Sequence, residues 1–218
     1  MTTIPNRRPL ASRNTTWAAA MARGLAARGI SPNQISAFGM VMAAAAGGAL
    51  WGAGSVNGWA RALLLILGAA FTQGRLLCNL LDGMVAIEGG RISPDGHVWN
   101  EAPDRVSDVL ILVGLALGAG VPALGWAAAA AAILTAYVRE LGTGCGLPAD
   151  FTGPMAKPHR MAAVTGAVLL TLLAPQLGWR DEIICAAMWF IFLGAALTAL
   201  RRAGRLVQEL RRRGAAPD

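Results

Sequence analysis

Apolar residues fall in long uncharged blocks, at positions 30–60, 109–138, 161–179 and 183–200, and not in the stripes of a soluble amphipathic helix. A membrane span needs about 20 such residues. The block at 109–138 is too long for one span and carries the breaker cluster Gly118, Ala119, Gly120, Val121 and Pro122, which divides it into two helices. Between 60 and 89 the apolar pattern continues, broken by Arg75 and Asp82. The pattern therefore predicts spans at 33–53, 60–88, 98–118, 122–143, 156–174 and 182–204. The fold class expected is an all-α membrane protein of six transmembrane helices, preceded by an N-terminal interfacial amphipathic helix around Trp17, Ala18 and Met21.

Composition agrees. Of 218 residues, 55% are hydrophobic, 27 are glycine and 14% are charged, and the mean hydropathy is +0.50. A soluble globule, a disordered acidic tail and a secreted disulfide scaffold are excluded. The net charge is nevertheless +7. It lies at the ends: Arg7, Arg8, Arg13, Arg23 and Arg28 lead in, and Arg201, Arg202, Arg205, Arg211, Arg212 and Arg213 lead out against Glu209 alone.

By the positive-inside bias both termini are expected on the cytoplasmic side of a bacterial inner membrane, which requires an even number of spans. Loops 54–59 and 119–121 carry no charge and 175–181 carries Arg180 against Asp181, whereas Glu88, Arg91, Asp95, Asp150, Lys157 and Arg160 occupy the opposite side. Three regions follow: a basic interfacial segment at 1–30, a six-helix membrane domain at 31–204, and a basic cytoplasmic tail at 205–218. Nucleic acid is not an expected partner, because that needs a soluble basic patch. Cys78, Cys145 and Cys185 are expected as free thiols. Trp51, Trp59, Trp126 and Trp179 fit an outer interfacial belt. Gly114 and Gly118 form a small-xxx-small pair, suited either to packing inside the bundle or to a dimer face.

Ionisable groups inside spans cost about 2.5 to 3.5 kcal/mol each on insertion scales, so a cluster of them marks a candidate site. Asn79, Asp82, Gly83 and Ala86 share one face at the cytoplasmic end of the second span. Asn100, Asp104 and Asp108 share another at the start of the third. Carboxylate and amide oxygens converging from two helices suit a hard divalent ion such as Mg²⁺, and Gly83 and Ala86 leave room for a ligand. The competing reading is helix capping and internal pairing, with Asp95 or Asn100 ending a loop, Glu101 favouring the helix start, and Asp104 paired with Arg105 or Arg75.

The stretch from Asn79 to Ile87, followed after eight residues by Gly96, Asn100 and Asp104, resembles the signature of the CDP-alcohol phosphatidyltransferases, D-x2-D-G-x2-A-R, eight residues, G-x3-D-x3-D. Ser31-Pro32-Asn33-Gln34-Ile35-Ser36 and Gly153-Pro154-Met155-Ala156-Lys157 open the first and fifth spans as in that family. The resemblance implies a six-span, homodimeric enzyme of phospholipid biosynthesis that uses Mg²⁺ or Mn²⁺. It moves a phosphatidyl group from CDP-diacylglycerol to an alcohol or phosphorylated alcohol and releases CMP. By position it implies Asp82 as metal ligand, Asn79 and Asn100 at the first and third acidic positions, and Asp104 as fourth acid and catalytic base. Asp82, Gly83, Ala86 and Gly96 would meet the nucleotide.

Three positions depart from the signature. Two of four aspartates are Asn, and the arginine is Ile87. Four aspartates would balance two divalent ions, whereas Asp82 and Asp104 balance one. Glu101 and Asp108, adjacent to the site, are the acids that could restore the missing charge as further metal ligands, and the expectation is one metal, or two with Glu101 recruited. Arg139, Lys157 and Arg160 are candidates for acceptor or phosphate binding, and His97 and His159 lack metal-ligand spacing. Alternatives are transfer from soluble CDP-choline or CDP-ethanolamine to diacylglycerol, an ion-coupled transporter, and a catalytically silent family member.

Overall fold

In the computed structural model, residues 15–88, 95–173 and 179–214 are described. Arg7, Arg8, Arg13 and Arg91 lie outside them. The described residues are all helical apart from short connections: α1 (Thr16–Ala27), α2 (Pro32–Gly52), a 3₁₀ turn (Ala53–Ser55), α3 (Gly58–Glu88), α4 (Gly96–Gly118), α5 (Pro122–Gly144), α6 (Lys157–Thr171) and α7 (Glu182–Gly214). Among the described residues three segments are long and apolar enough to cross a membrane: Pro32–Ser55, Gly58–Ile87 and Glu182–Gly214.

Local chemistry sets the boundaries. Ser31 caps α2 through a reciprocal box, its hydroxyl accepting from the Gln34 amide at 3.2 Å while its own N–H donates to Gln34 Oε1 at 2.9 Å. Pro32 takes the first helical position, where its missing N–H costs nothing. The Gly118–Pro122 cluster breaks the apolar block as its composition predicts: α4 ends at Gly118, Gly120 adopts φ +74°, and α5 begins at Pro122.

Two ends differ from the hydropathy pattern. α6 stops at Thr171, short of position 174. α7 runs to Gly214, ten residues past the expected end of the span at 204 and about 50 Å in all at 1.5 Å per residue. Leu206, Val207 and Leu210 carry the apolar pattern onward, the Glu209–Arg213 pair supports it, and Arg211, Arg212 and Arg213 in the last turn suit the negative helix end.

α2 is the central element, packed most extensively on α3 and α4, while α5 packs on α7. The α2–α4 crossing is held at backbone distance by glycines. A Cβ at Gly114 would sit 2.5 Å from the Gly47 Cα, and one at Gly118 3.1 Å from the Leu50 carbonyl carbon. The Gly114–Gly118 pair therefore serves packing within the bundle. Trp51, Trp59, Trp126 and Trp179 are all exposed, at the end of α2, the start of α3, the start of α5 and just before α7. All three cysteines are free.

Gly114→Leu is expected to destabilise the bundle by about 1 to 3 kcal/mol through overpacking, read as a lowered thermal midpoint in detergent. Gly48→Leu, which meets nothing within 4 Å, serves as the comparison. Equal midpoints for the two variants would show that α2 and α4 do not meet at Gly114.

Candidate active site at the tips of α3, α4 and α6

The last turns of α3 and the first turns of α4 and α6 bring the motif residues together. Asp82 is 5% exposed on α3. Its Oδ2 accepts a hydrogen bond from Ser36 Oγ on α2 at 2.8 Å and its Oδ1 one from the Gly83 amide at 2.6 Å. Among the described residues no cation pairs with it, and an isolated buried carboxylate is costly.

Asp104 is the opposite case. Its Oδ1 receives the Arg75 guanidinium, the Lys157 ammonium at 2.5 Å and the Asn79 amide Nδ2 at 3.1 Å. Lys157 Nζ also donates to Asn79 Oδ1 at 3.1 Å, so both ends of that amide are engaged. Arg75 Nε donates to Ser107 Oγ at 2.6 Å, which fixes the guanidinium between α3 and α4. Pro103, within α4, has no N–H for the Trp99 carbonyl, which loosens the helix between Asn100 and Asp104.

The remaining candidates are engaged elsewhere. Asp108 pairs with Arg160 at 2.5 Å, both buried, and Arg160 Nε is a buried donor with no partner among the described residues. Glu101 is held by Arg105 and Arg139. Arg139 also reaches Glu140, and His97 Nε2 lies 3.1 Å from Glu140 Oε2. Asn100 is exposed and its Nδ2 lies 3.4 Å from Glu101 Oε1. Gly83 and Ala86 are half-buried beside Asp82, and a Cβ at Gly96 would meet nothing within 4 Å. Among the described residues no three His, Cys, Asp or Glu side chains form a ready metal cluster. An ion here would draw on Asp82 and on amide oxygens, a hard donor set that suits Mg²⁺ or Mn²⁺.

A second polar cluster escapes the sequence reading. Arg202, 5% exposed, donates to the Thr152 carbonyl at 2.9 Å and to the Thr135 carbonyl at 2.8 Å. Thr198 Oγ1 accepts from the Met155 amide at 3.0 Å. These contacts pin the α5–α6 connection to α7. The signal was present in the spacing: Met188, Ile191, Ala195, Thr198 and Arg202 form one buried face at i+3 and i+4 steps.

With this geometry in place, the chain can be set beside known proteins. No family model matches. It is 36% identical over 130 residues to a bifunctional IPC transferase and DIPP synthase of Rubrobacter xylanophilus, covering 57% of this chain and 27% of that protein. It is 27% identical over 137 residues to an archaetidylinositol phosphate synthase of Aeropyrum pernix, covering 63% and 68%. The chain thus spans little more than a quarter of the first of these curated relatives.

Its fold is shared with the Mycobacterium tuberculosis phosphatidylinositol phosphate synthase PgsA1 with CDP-DAG bound, at a TM-score of 0.73 and 20% identity over 88% of this chain and 94% of that one. The same enzyme in complex with manganese and citrate gives a TM-score of 0.72 at 20% identity over 87% and 88%. The resemblance to CDP-alcohol phosphatidyltransferases holds.

Breaking the Asp108–Arg160 pair from one side leaves an uncompensated buried charge, so Arg160→Met is expected to cost about 3 to 5 kcal/mol. Asp108→Leu in the same chain should recover most of that loss in detergent unfolding. A double variant no more stable than Arg160→Met alone would show that the two groups do not compensate each other.

Proposed function

We propose that this chain is a membrane-embedded, metal-dependent phosphatidyltransferase, moving the phosphatidyl group of CDP-diacylglycerol to an alcohol and releasing CMP. The observation that carries this reading is the meeting of α3 and α4 at Asn79 and Asp104, with the buried Asp82 carboxylate further along α3 left, among the described residues, without a cation. CDP-DAG in the PgsA1 neighbour supports the donor, and manganese in the other PgsA1 structure supports the cofactor. The curated synthases support a phosphorylated polyol of the inositol phosphate kind as acceptor.

Six spans, an interfacial α1, cytoplasmic termini and a bacterial inner membrane complete the reading. The order α2 to α7, the exposed tryptophans at one end and the arginines of α7 support it. A homodimer is part of the same proposal, supported by the resemblance. Asp82 lies near the end of α3 and Asp104 in the first half of α4, toward one end of the bundle, which speaks against an ion-coupled transporter, whose site belongs near the midplane.

In the reaction the acceptor oxygen attacks the phosphorus that carries diacylglycerol, and the bond from that phosphorus to the CMP oxygen breaks. Asp82, with the amide oxygen of Asn100, would hold Mg²⁺ or Mn²⁺. The ion supplies charge neutralisation for the diphosphate and its leaving group. Asp104 accepts the acceptor's proton; its Oδ1 is tied by Arg75, Asn79 and Lys157, which leaves Oδ2 for that role. Asp82, Gly83, Ala86 and Gly96 border the nucleotide. Arg160, Lys157 and Arg139 are candidates for the acceptor side.

Asp104→Asn is expected to lower CMP release about 10²- to 10⁴-fold, the usual contribution of a general base, with Asp82→Asn at least as damaging. Purified protein given CDP-diacylglycerol, Mn²⁺ and a panel of alcohols and phosphorylated alcohols provides the assay. Wild-type rates in Asp104→Asn would remove the proposed base, and no CMP from wild type with any acceptor would overturn the enzyme reading.

A further inference from the structure

The charge around the site is already balanced before any divalent ion is added. Asp82 and Asp104 supply two negative charges, Arg75 and Lys157 two positive ones, and Asp108 and Arg160 cancel each other. The two cations are not shared evenly. Both contact Asp104, whereas Asp82, among the described residues, has only hydrogen-bond donors.

We propose that the Lys157 ammonium takes the place of one of the two divalent ions that a four-aspartate motif would balance, so that this chain binds a single ion, on the Asp82 side. The inference rests on the metal-dependent reading above and concerns how many ions the site accepts.

Three observations converge on Lys157. Its Nζ lies between the first and fourth motif positions, 3.1 Å from Asn79 Oδ1 and 2.5 Å from Asp104 Oδ1. The Asn79 amide spends its donor on Asp104 and its acceptor on Lys157; turned over, it would set oxygen against carboxylate and N–H against ammonium. Asn79 therefore has a fixed orientation with its oxygen committed to the lysine. Lys157 is itself held in place: it opens α6 next to the buried Met155 and Ala156, and the Met155 amide is tied to Thr198 of α7.

The substitution at position 79 makes sense in these terms. An aspartate there would put two carboxylates against each other and call for a doubly charged partner. With an amide there, Asp104 already has the Arg75 guanidinium and the Lys157 ammonium against its one charge, which leaves no call for a doubly charged partner. Asp82 remains as the anionic ligand for the one ion, and that ion need not compete with a fixed cation in contact with the same oxygens.

The test is Mn²⁺ binding to the detergent-purified full chain with no nucleotide, followed by electron paramagnetic resonance of free Mn²⁺. Wild type is expected to hold one ion per chain, and Asn79→Asp alone still one. Asn79→Asp combined with Lys157→Met is expected to hold two, the second gained by removing a positive charge within a few ångströms, worth at least about tenfold in affinity. Two ions on wild type, none at all, or one on the folded double variant would overturn the proposal.

Should the double variant fail to fold, the wild-type count decides alone. CMP release is measured separately, so a chain that counts one ion but releases no CMP refutes the enzyme reading and leaves the ion count standing.

Discussion

The Asp104 carboxylate is the fixed point of this molecule. A buried carboxylate is costly unless it is paired and hydrogen-bonded, and the partners of Asp104 come from two other helices, Arg75 and Asn79 on α3 and Lys157 on α6. α3 and α4 both pack chiefly on α2 and touch each other only slightly. Apolar packing therefore sets the bundle, and the ion pairs set where the helix tips point. Desolvation offsets much of the Coulomb gain in such a pair, so its role is better read as fixing one arrangement than as adding stability.

Two adjacent pairs behave differently for the same reason. Asp108–Arg160 joins α4 to α6 one turn further in, each member nearly inaccessible, and closes off that layer. Asp82 is hydrogen-bonded by Ser36 and by the Gly83 amide without a cation. Among the described residues the acids thus pass from fully compensated at Asp108, through doubly cationic surroundings at Asp104, to a carboxylate without a cation at Asp82. That gradient marks where an incoming cation gains most.

Much of this was legible in the sequence. The uncharged blocks locate α2 to α7, because apolar length and glycine or proline breaks act locally, as at Gly118–Pro122. The spacing singles out Asn79 and Asp104, which the structure brings into contact, and the pairing of Arg75 with Asp104 was among the readings the spacing allowed. The fate of the other ions was not legible. Glu101 looked available to a metal, yet Arg139 arrives from α5, more than thirty residues away, and nothing along the chain announces that meeting. Hydropathy also ends α7 too soon, since an arginine-rich helix continues on charge pairing and helix-end electrostatics after its apolar content falls.

The position of Lys157 depends in turn on residues far from any motif. The connection from α5 to α6, residues 145–156, has little regular structure, and such a segment would ordinarily leave its last residue loosely placed. Here Arg202 binds the Thr152 and Thr135 carbonyls and Thr198 accepts the Met155 amide, so the segment is clamped to α7 just before α6 begins. Gly153, at φ +129° and hard against Thr198, is what lets the backbone come that close. Through this clamp the register of α7 fixes the first turn of α6, and the first turn of α6 decides which cation Asp104 and Asn79 hold. The charge of the site is thus set as much by a buried arginine on the last helix as by the acids of the motif.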